Sequence, residues 1–387
     1  MLKISKIIIV LISCFSIPVH SIIITPKAPK ISAETYVLLN ADTGKIIASF
    51  DETKQIKPAS ITKLMTAFVV FESLNEGQIL LDDPVRVSKR ASNIPGSTMF
   101  LNPLLKVTVE ELLQGMIIVS GNDASIALAE HIAGTEEAFS EYMNEYAQAI
   151  GLKNTNYQNS TGLDGDKHYS SAIDIAILAS RIINDFPQYF PWYSQQSFSS
   201  EKIRDLKTDQ PIKQFNRNKL LKRDKSVDGM KTGYTSSAGY CLVATAEKDS
   251  MRLIAVVTGS KSPDDRTEAA SALLNYGFRF FENKILVEPS AVYAEAKIWK
   301  GEDENISLVT NKEFFQTIPK GSYKNIQYNI ELFGPIIAPI DTNQPVGKLT
   351  LTLDQNTIVD TPLFSNKVIG KDSIWGQIYD SAILLFD

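Results

Sequence analysis

Two cysteines and three histidines are spread over 387 residues. No C-x-x-C, H-E-x-x-H or similar cluster occurs, so the sequence offers no metal centre. Cys14 falls in a leader-like segment, which leaves Cys241 without an intrachain partner and excludes a disulfide framework. Cys241 sits in the apolar run YCLVATA and reads as a buried small hydrophobe. Excess positive charge is missing too. The 39 Lys and Arg face 44 Asp and Glu, a formal net charge of −5, which gives no electrostatic reason for a nucleic-acid partner. Repeats and low-complexity tracts are absent.

What remains is ordinary globular material, 44% hydrophobic and 21% charged, long enough for two domains. Lys3 and Lys6 precede the apolar run IIIVLISCFSI at 7–17, which is too short to span a bilayer, and VHS at 19–21 offers a cleavage site. Residues 1–21 are therefore expected to be a secretory signal peptide, whose loss makes the chain two charges more negative. A second reading takes LISC at 11–14 as a lipoprotein site with Cys14 acylated, although the apolar stretch before it is unusually short.

TYVLLNADTGKIIASF (35–50) carries a hairpin signal. A helix is expected from Ser60 to about Gly77, apolar on nearly every face and hence central. Further helices are expected at 108–119, 124–134, 136–151 and 170–185. Three β-like runs follow at 227–235, 239–247 and 252–260, an antiparallel meander, and a helix at 264–283 closes the unit. The fold class expected is α+β: an antiparallel sheet with a helical lobe over 32–284, with the site between them. Short alternating runs then suggest a small all-β domain at 285–366. The tail at 372–387 places Ile374, Trp375, Ile378, Tyr379, Ala382, Ile383 and Phe386 on one helical face. At about 24 Å it falls short of the ~30 Å hydrocarbon core, but it suits a membrane surface or a dock on its own domain.

Three short motifs carry the chemistry. Ser60 and Lys63 form S-x-x-K, and positions i and i+3 share a helix face. A serine needs a base, and a lysine can be that base only when neutral, its pKa lowered by burial and a second cation. Ser120-Gly121-Asn122 marks a helix break, where side chains can enter a cleft. Lys231-Thr232-Gly233 lies on the first late strand, where Gly233 permits close backbone approach of a ligand. Each motif alone is common; the three in this order are specific.

With these motifs the chain resembles the serine penicillin-recognising enzymes, and among them the secreted D-alanyl-D-alanine carboxypeptidases, low-molecular-mass penicillin-binding proteins with a β-lactamase/transpeptidase-like domain. GLD (162–164), HYSSAIDIAIL (168–178), FNRNKLL (215–221), VDGMKTGYTSSAGYCLVATA (227–246) and NYGFRFFEN (275–283) extend the likeness over nearly the whole mature chain. Tyr234 departs from it, since many relatives place histidine there. The resemblance implies Ser60 as acylated nucleophile, Lys63 as base, and Ser120 as proton relay helped by Lys231. It implies Asn122 on the substrate amide, and backbone N–H groups of Ser60 and Tyr234 as an oxyanion hole beside Gly233. Lys231, Thr232 and an arginine, Arg266 before Arg217, would receive the terminal carboxylate. Lys231 would also be the cation that keeps Lys63 neutral. No cofactor is implied. The partners implied are peptidoglycan stem peptides ending in D-Ala-D-Ala and, as covalent inhibitors, β-lactams, with the protein exported to the periplasmic face of the inner membrane and peripherally attached there.

Rival readings differ at particular residues. A related DD-endopeptidase shares every motif. A class A β-lactamase would need a deacylating glutamate after S-x-N, yet none occurs between Glu145 and Glu201. A Ser-His-Asp triad would enlist His168 with Asp164 or Asp174, but GDKHYSS reads more simply as a loop before a helix. His131, on an amphipathic helix, reads as structural.

Overall fold

A computed structural model describes residues 25–205 and 207–385. The expected signal peptide and Cys14 lie outside that range. The chain forms two compact units.

The first unit is built on a five-stranded antiparallel sheet. Its strands are β1 (Thr35–Asn40), β2 (Ile46–Phe50), β3 (Val227–Thr235), β4 (Gly239–Lys248) and β5 (Met251–Ser260). They lie in the order β2-β1-β5-β4-β3, which leaves β3, with Lys231-Thr232-Gly233, on an edge. Side chains alternate across the sheet. Val37, Leu39, Val243, Ile254 and Val256 join one core, while Leu38, Leu242, Leu253, Ala255 and Val257 join the other. Both faces are covered, so the central strands read as unbroken apolar runs rather than alternating ones.

The larger core belongs to the helical lobe: α1 (Lys63–Asn75), α2 (Val109–Ile118), α3 (Asn122–Ala133), α4 (Glu136–Ala149) and α5 (Ala172–Asp185). α1 is buried from Lys63 to Phe71, with Phe68 and Phe71 packed on Phe186. Caps set the boundaries. Thr108 and Glu111 form a reciprocal capping box at α2, and Thr135 and Ser171 accept N–H bonds at the starts of α4 and α5. The break after α2 is sharper than expected. Ser120 takes φ +66° and α3 begins at Asn122, so Asn122 and Asp123 lie in its first turn.

On the other face lies α6 (Pro263–Phe280). It ends earlier than the 264–283 expected, because Phe281–Val287 is a strand, β6. Beyond it come β7 (Val292–Trp299), β8 (Asn305–Val309) and β9 (Phe314–Pro319). β9 pairs antiparallel with β6, from Phe281↔Pro319 to Val287↔Phe314. Residues 313–320 therefore belong to the first unit, which otherwise runs from 26 to 287. The span expected as a second domain, 285–366, therefore includes a segment that packs with the first unit: the edge of β6 is satisfied by it, and Thr317 also bonds Asn283 and Thr43.

The second unit holds a six-stranded sheet. With β10 (Gln327–Leu332), β11 (Ile336–Ile337), β12 (Pro345–Leu353) and β13 (Asn356–Ser365), the order is β10-β12-β13-β8-β7-β11. Its tail carries α7 (Ile374–Ile383), which starts later than the 372 expected because Ser373 caps it; Phe386 lies outside the described residues. Asp380 accepts the Lys300 N–H, while Ile374, Trp375, Ile378 and Tyr379 remain exposed. Among the described residues no helix is long and apolar enough to cross a membrane.

Candidate active site

The three motifs converge on one cavity of about 470 Å³ in the first unit. Ser60, Ser120, Asn122, Thr232, Gly233, Tyr234, Arg217 and Arg266 line it. Lys63 and Lys231, the other two expected site residues, are almost wholly buried.

Ser60 sits in a 3-10 turn, Ala59–Thr62, rather than in the α-helix expected from it. Ala59 there takes φ +48°. Lys63 opens α1 one turn later, and its Nζ lies 3.2 Å from Ser60 Oγ. The same nitrogen donates to Asn122 Oδ1 at 2.7 Å and to the Thr161 carbonyl at 2.6 Å. Burial is the main cause that lowers Lys63 from 10.5 to about 7. Asp123 and Glu136 oppose the shift, and Arg217 assists it. Arg217 is thus one helping cation, and Lys231, whose own pKa is lowered by the charge of Lys63, repels a proton on the same amine, as expected.

Lys231 donates to Ser120 Oγ at 2.8 Å and to the Thr232 carbonyl at 3.2 Å. Burial, then the charge of Lys63, holds its pKa well below the ordinary lysine value. Gly233 lines the cavity and has a packing duty besides. A Cβ there would come within 3.1–3.2 Å of Pro58 O, Ala59 Cβ and Ile61 Cγ1, so glycine lets the serine turn seat on β3. Tyr234 is half exposed and stacks on Tyr240 with ring centroids 4.3 Å apart.

The arginines differ. Arg266 is buried, donates Nη1–H to the Gly233 and Cys241 carbonyls, and lies over the Tyr240 ring. Arg217 is exposed at the cavity and donates to Ser97 Oγ. Asn122 is engaged on both sides, since its Nδ2 also donates to the Pro95 carbonyl at 2.6 Å. Its backbone N–H reaches the Ser97 carbonyl.

His168 is not part of a triad. Its Nδ1 accepts the Gln158 N–H, which makes Nε2–H the donor to Thr62 Oγ1. Burial lowers its pKa to about 4. Asp164 instead accepts from Thr235, and Asp174 from Asn154 and Thr155. Cys241 is buried, its thiol pushed up to about 11 by desolvation. His131 Nε2 is buried without a hydrogen-bond partner among the described residues.

Sequence reasoning missed the segment that wraps Lys63. Asn159 Oδ1 accepts the N–H groups of Thr161 and Gly162. Gly162, at φ +85°, passes so close to Ala59 that an added Cβ would lie 1.8 Å from its carbonyl oxygen. The polar turn NSTG was the available signal, but the contacts with Lys63 and Ala59 are made by a backbone carbonyl and a missing Cβ, which no side-chain motif encodes.

The family model described as peptidase S11, D-alanyl-D-alanine carboxypeptidase, matches residues 23–262. That of the penicillin-binding protein 5 C-terminal domain matches 281–371. D-alanyl-D-alanine carboxypeptidase DacA of Haemophilus influenzae is 38% identical over 381 residues, 97% of this chain and 95% of the relative. DacC of Escherichia coli is 37% identical over 370 residues, 94% and 90%. The crystal structure of penicillin binding protein 5 from Haemophilus influenzae, 39% identical, superposes with a TM-score of 0.77 over 89% of this chain and all of that one.

Proposed function

Because the chain belongs to the peptidase S11 family of D-alanyl-D-alanine carboxypeptidases, we propose that Ser60 and Lys63 are the acylating pair by which it removes the last D-alanine of peptidoglycan stem peptides. The observation that carries this is the Lys63 amine. Two of its three neighbours, Asn122 Oδ1 and the Thr161 carbonyl, can only accept; the third is a hydroxyl. A neutral amine that gives its two protons to the acceptors keeps its lone pair for the Ser60 O–H.

Ser60 Oγ attacks the penultimate carbonyl while Lys63 takes its proton. Backbone N–H groups of Ser60 and Tyr234 stabilise the oxyanion. The C–N bond breaks, and the leaving D-alanine amine receives the Lys63 proton through Ser120, which Lys231 holds in place. Lys63, neutral again, takes a proton from the water that attacks the Ser60 ester and passes it to Ser60 Oγ as the ester breaks, so that amine and hydroxyl are both restored. Asn122, whose bonds lie with Lys63 and Pro95, serves the base before any substrate amide. Arg217, Thr232 and Lys231 receive the terminal carboxylate. Arg266 braces Gly233, which moves the first role to the freer arginine. A β-lactam would acylate Ser60 by the same route.

Export to the periplasmic face of the inner membrane, with α7 laid on its surface, completes the proposal. The exposed Ile374, Trp375, Ile378 and Tyr379 support it.

Release of D-alanine from a D-Ala-D-Ala peptide is the test. Ser60→Ala is expected to abolish release and penicillin labelling while the protein stays folded. Unchanged release would end the proposal.

A further inference from the structure

A buried carboxylate outside the three motifs bears on the same amine. Glu136, the first residue of α4, is 4% exposed, whereas its neighbour Glu137 points outward. Glu136 Oε1 accepts both the Ser160 N–H at 2.9 Å and the Ser160 O–H at 2.7 Å. Glu136 Oε2 pairs with Arg90 at 2.6 Å. The Ser160 carbonyl accepts from Thr66 Oγ1, three residues along α1 from Lys63. Ser160 is thus gripped from both sides, and the next carbonyl, that of Thr161, meets Lys63 Nζ.

We propose that Glu136 is a positioning residue for the reaction: it clamps Ser160 so that the Thr161 carbonyl fixes the orientation of the Lys63 amine. This rests on Lys63 being the base. If the Thr161 peptide turned away, one amine proton would lose its acceptor, and the lone pair would no longer be held toward Ser60. Asn159 and Thr66 hold the same segment, but only Glu136 carries charge. Its negative charge opposes the loss of the Lys63 proton. The other ionisable groups facing this amine are Asp123 on α3, Arg217 at the cavity, Lys231 on β3, and His168 beyond Thr62.

The test follows the acylation rate with a fluorescent penicillin, and kcat/KM for D-alanine release, across pH. Glu136→Gln keeps an oxygen for Ser160 and loses the charge. Its acid limb is expected to move to lower pH, by about half a unit or more, with the plateau within a few-fold of wild type. Arg90→Gln keeps the clamp and unmasks the carboxylate, so its limb is expected to move upward. Glu136→Ala releases the clamp, and its plateau is expected to fall roughly ten-fold or more. A folded Glu136→Ala that keeps the wild-type plateau, with only Tm lowered, would overturn the inference, and an acid limb that stays in place in the folded charge variants would overturn its electrostatic part. Should Glu136→Gln fail to fold, the exposed Arg90→Gln decides alone. Lys63→Met separates the two levels: wild-type acylation in that variant would defeat the base assignment itself.

Discussion

Lys63 is the residue on which burial and charge compete most directly. Desolvation drives off its proton, two carboxylates oppose, and one guanidinium assists, with a balance near pH 7. The sign follows. Above that value the amine is neutral and can accept the serine proton; below it the ammonium cannot. The acylation rate is therefore expected to rise tenfold per pH unit below about 7 and to level off above it, which stopped-flow labelling with a fluorescent penicillin would measure. Lys63→Arg keeps the charge but cannot lose it. It is expected to lower acylation by roughly 10²–10⁴-fold at every accessible pH. Recovery of the rate at high pH in that variant would contradict the assignment.

Among the elements, two glycines approach the serine turn closely. Gly233 on β3 and Gly162 after the Lys63-wrapping turn both meet residues 58–61. Gly162→Ala faces a positive φ and a backbone carbonyl in the path of its Cβ. It is expected to cost about 1–3 kcal/mol of stability, read by denaturant unfolding, and to displace Ser60 enough to slow acylation. Gly151 has a similar φ, +83°, with open space around it. Gly151→Ala is expected to lose stability from strain alone and to leave acylation intact. The contrast marks what the sequence discloses. S-x-x-K, S-G-N and K-T-G are legible because each brings its side chains together within one short stretch of sequence. α1 is legible because it is apolar on all sides. Thr161, Gly162 and Glu136 are not, since they act through a carbonyl, a missing Cβ and a clamp closed by folding. The end of α6 was misjudged for a related reason: FEN continues an acceptable helical pattern, and only its pairing with residues 317–319 makes it a strand.

At the scale of the molecule, the site lies wholly in the first unit, while the exposed aromatic helix belongs to the second. Chemistry and attachment should therefore separate. Deleting residues 374–387 is expected to leave turnover of a soluble peptide unchanged and to shift the protein from the membrane to the soluble fraction. Retention of the shortened chain on membranes would argue against α7 as the anchor. The acidic balance of the chain means that any such attachment draws on apolar burial more than on attraction to anionic lipid.

The strand at 314–319 sets a limit on how this protein can be divided. A gene fragment stopping at 287 would encode every catalytic side chain yet strand β6 without its ladder. Eight residues of the first unit are contributed from inside the span of the second. Splitting the polypeptide there should yield a sticky product, whereas a cut after 320 keeps the borrowed strand with its owner.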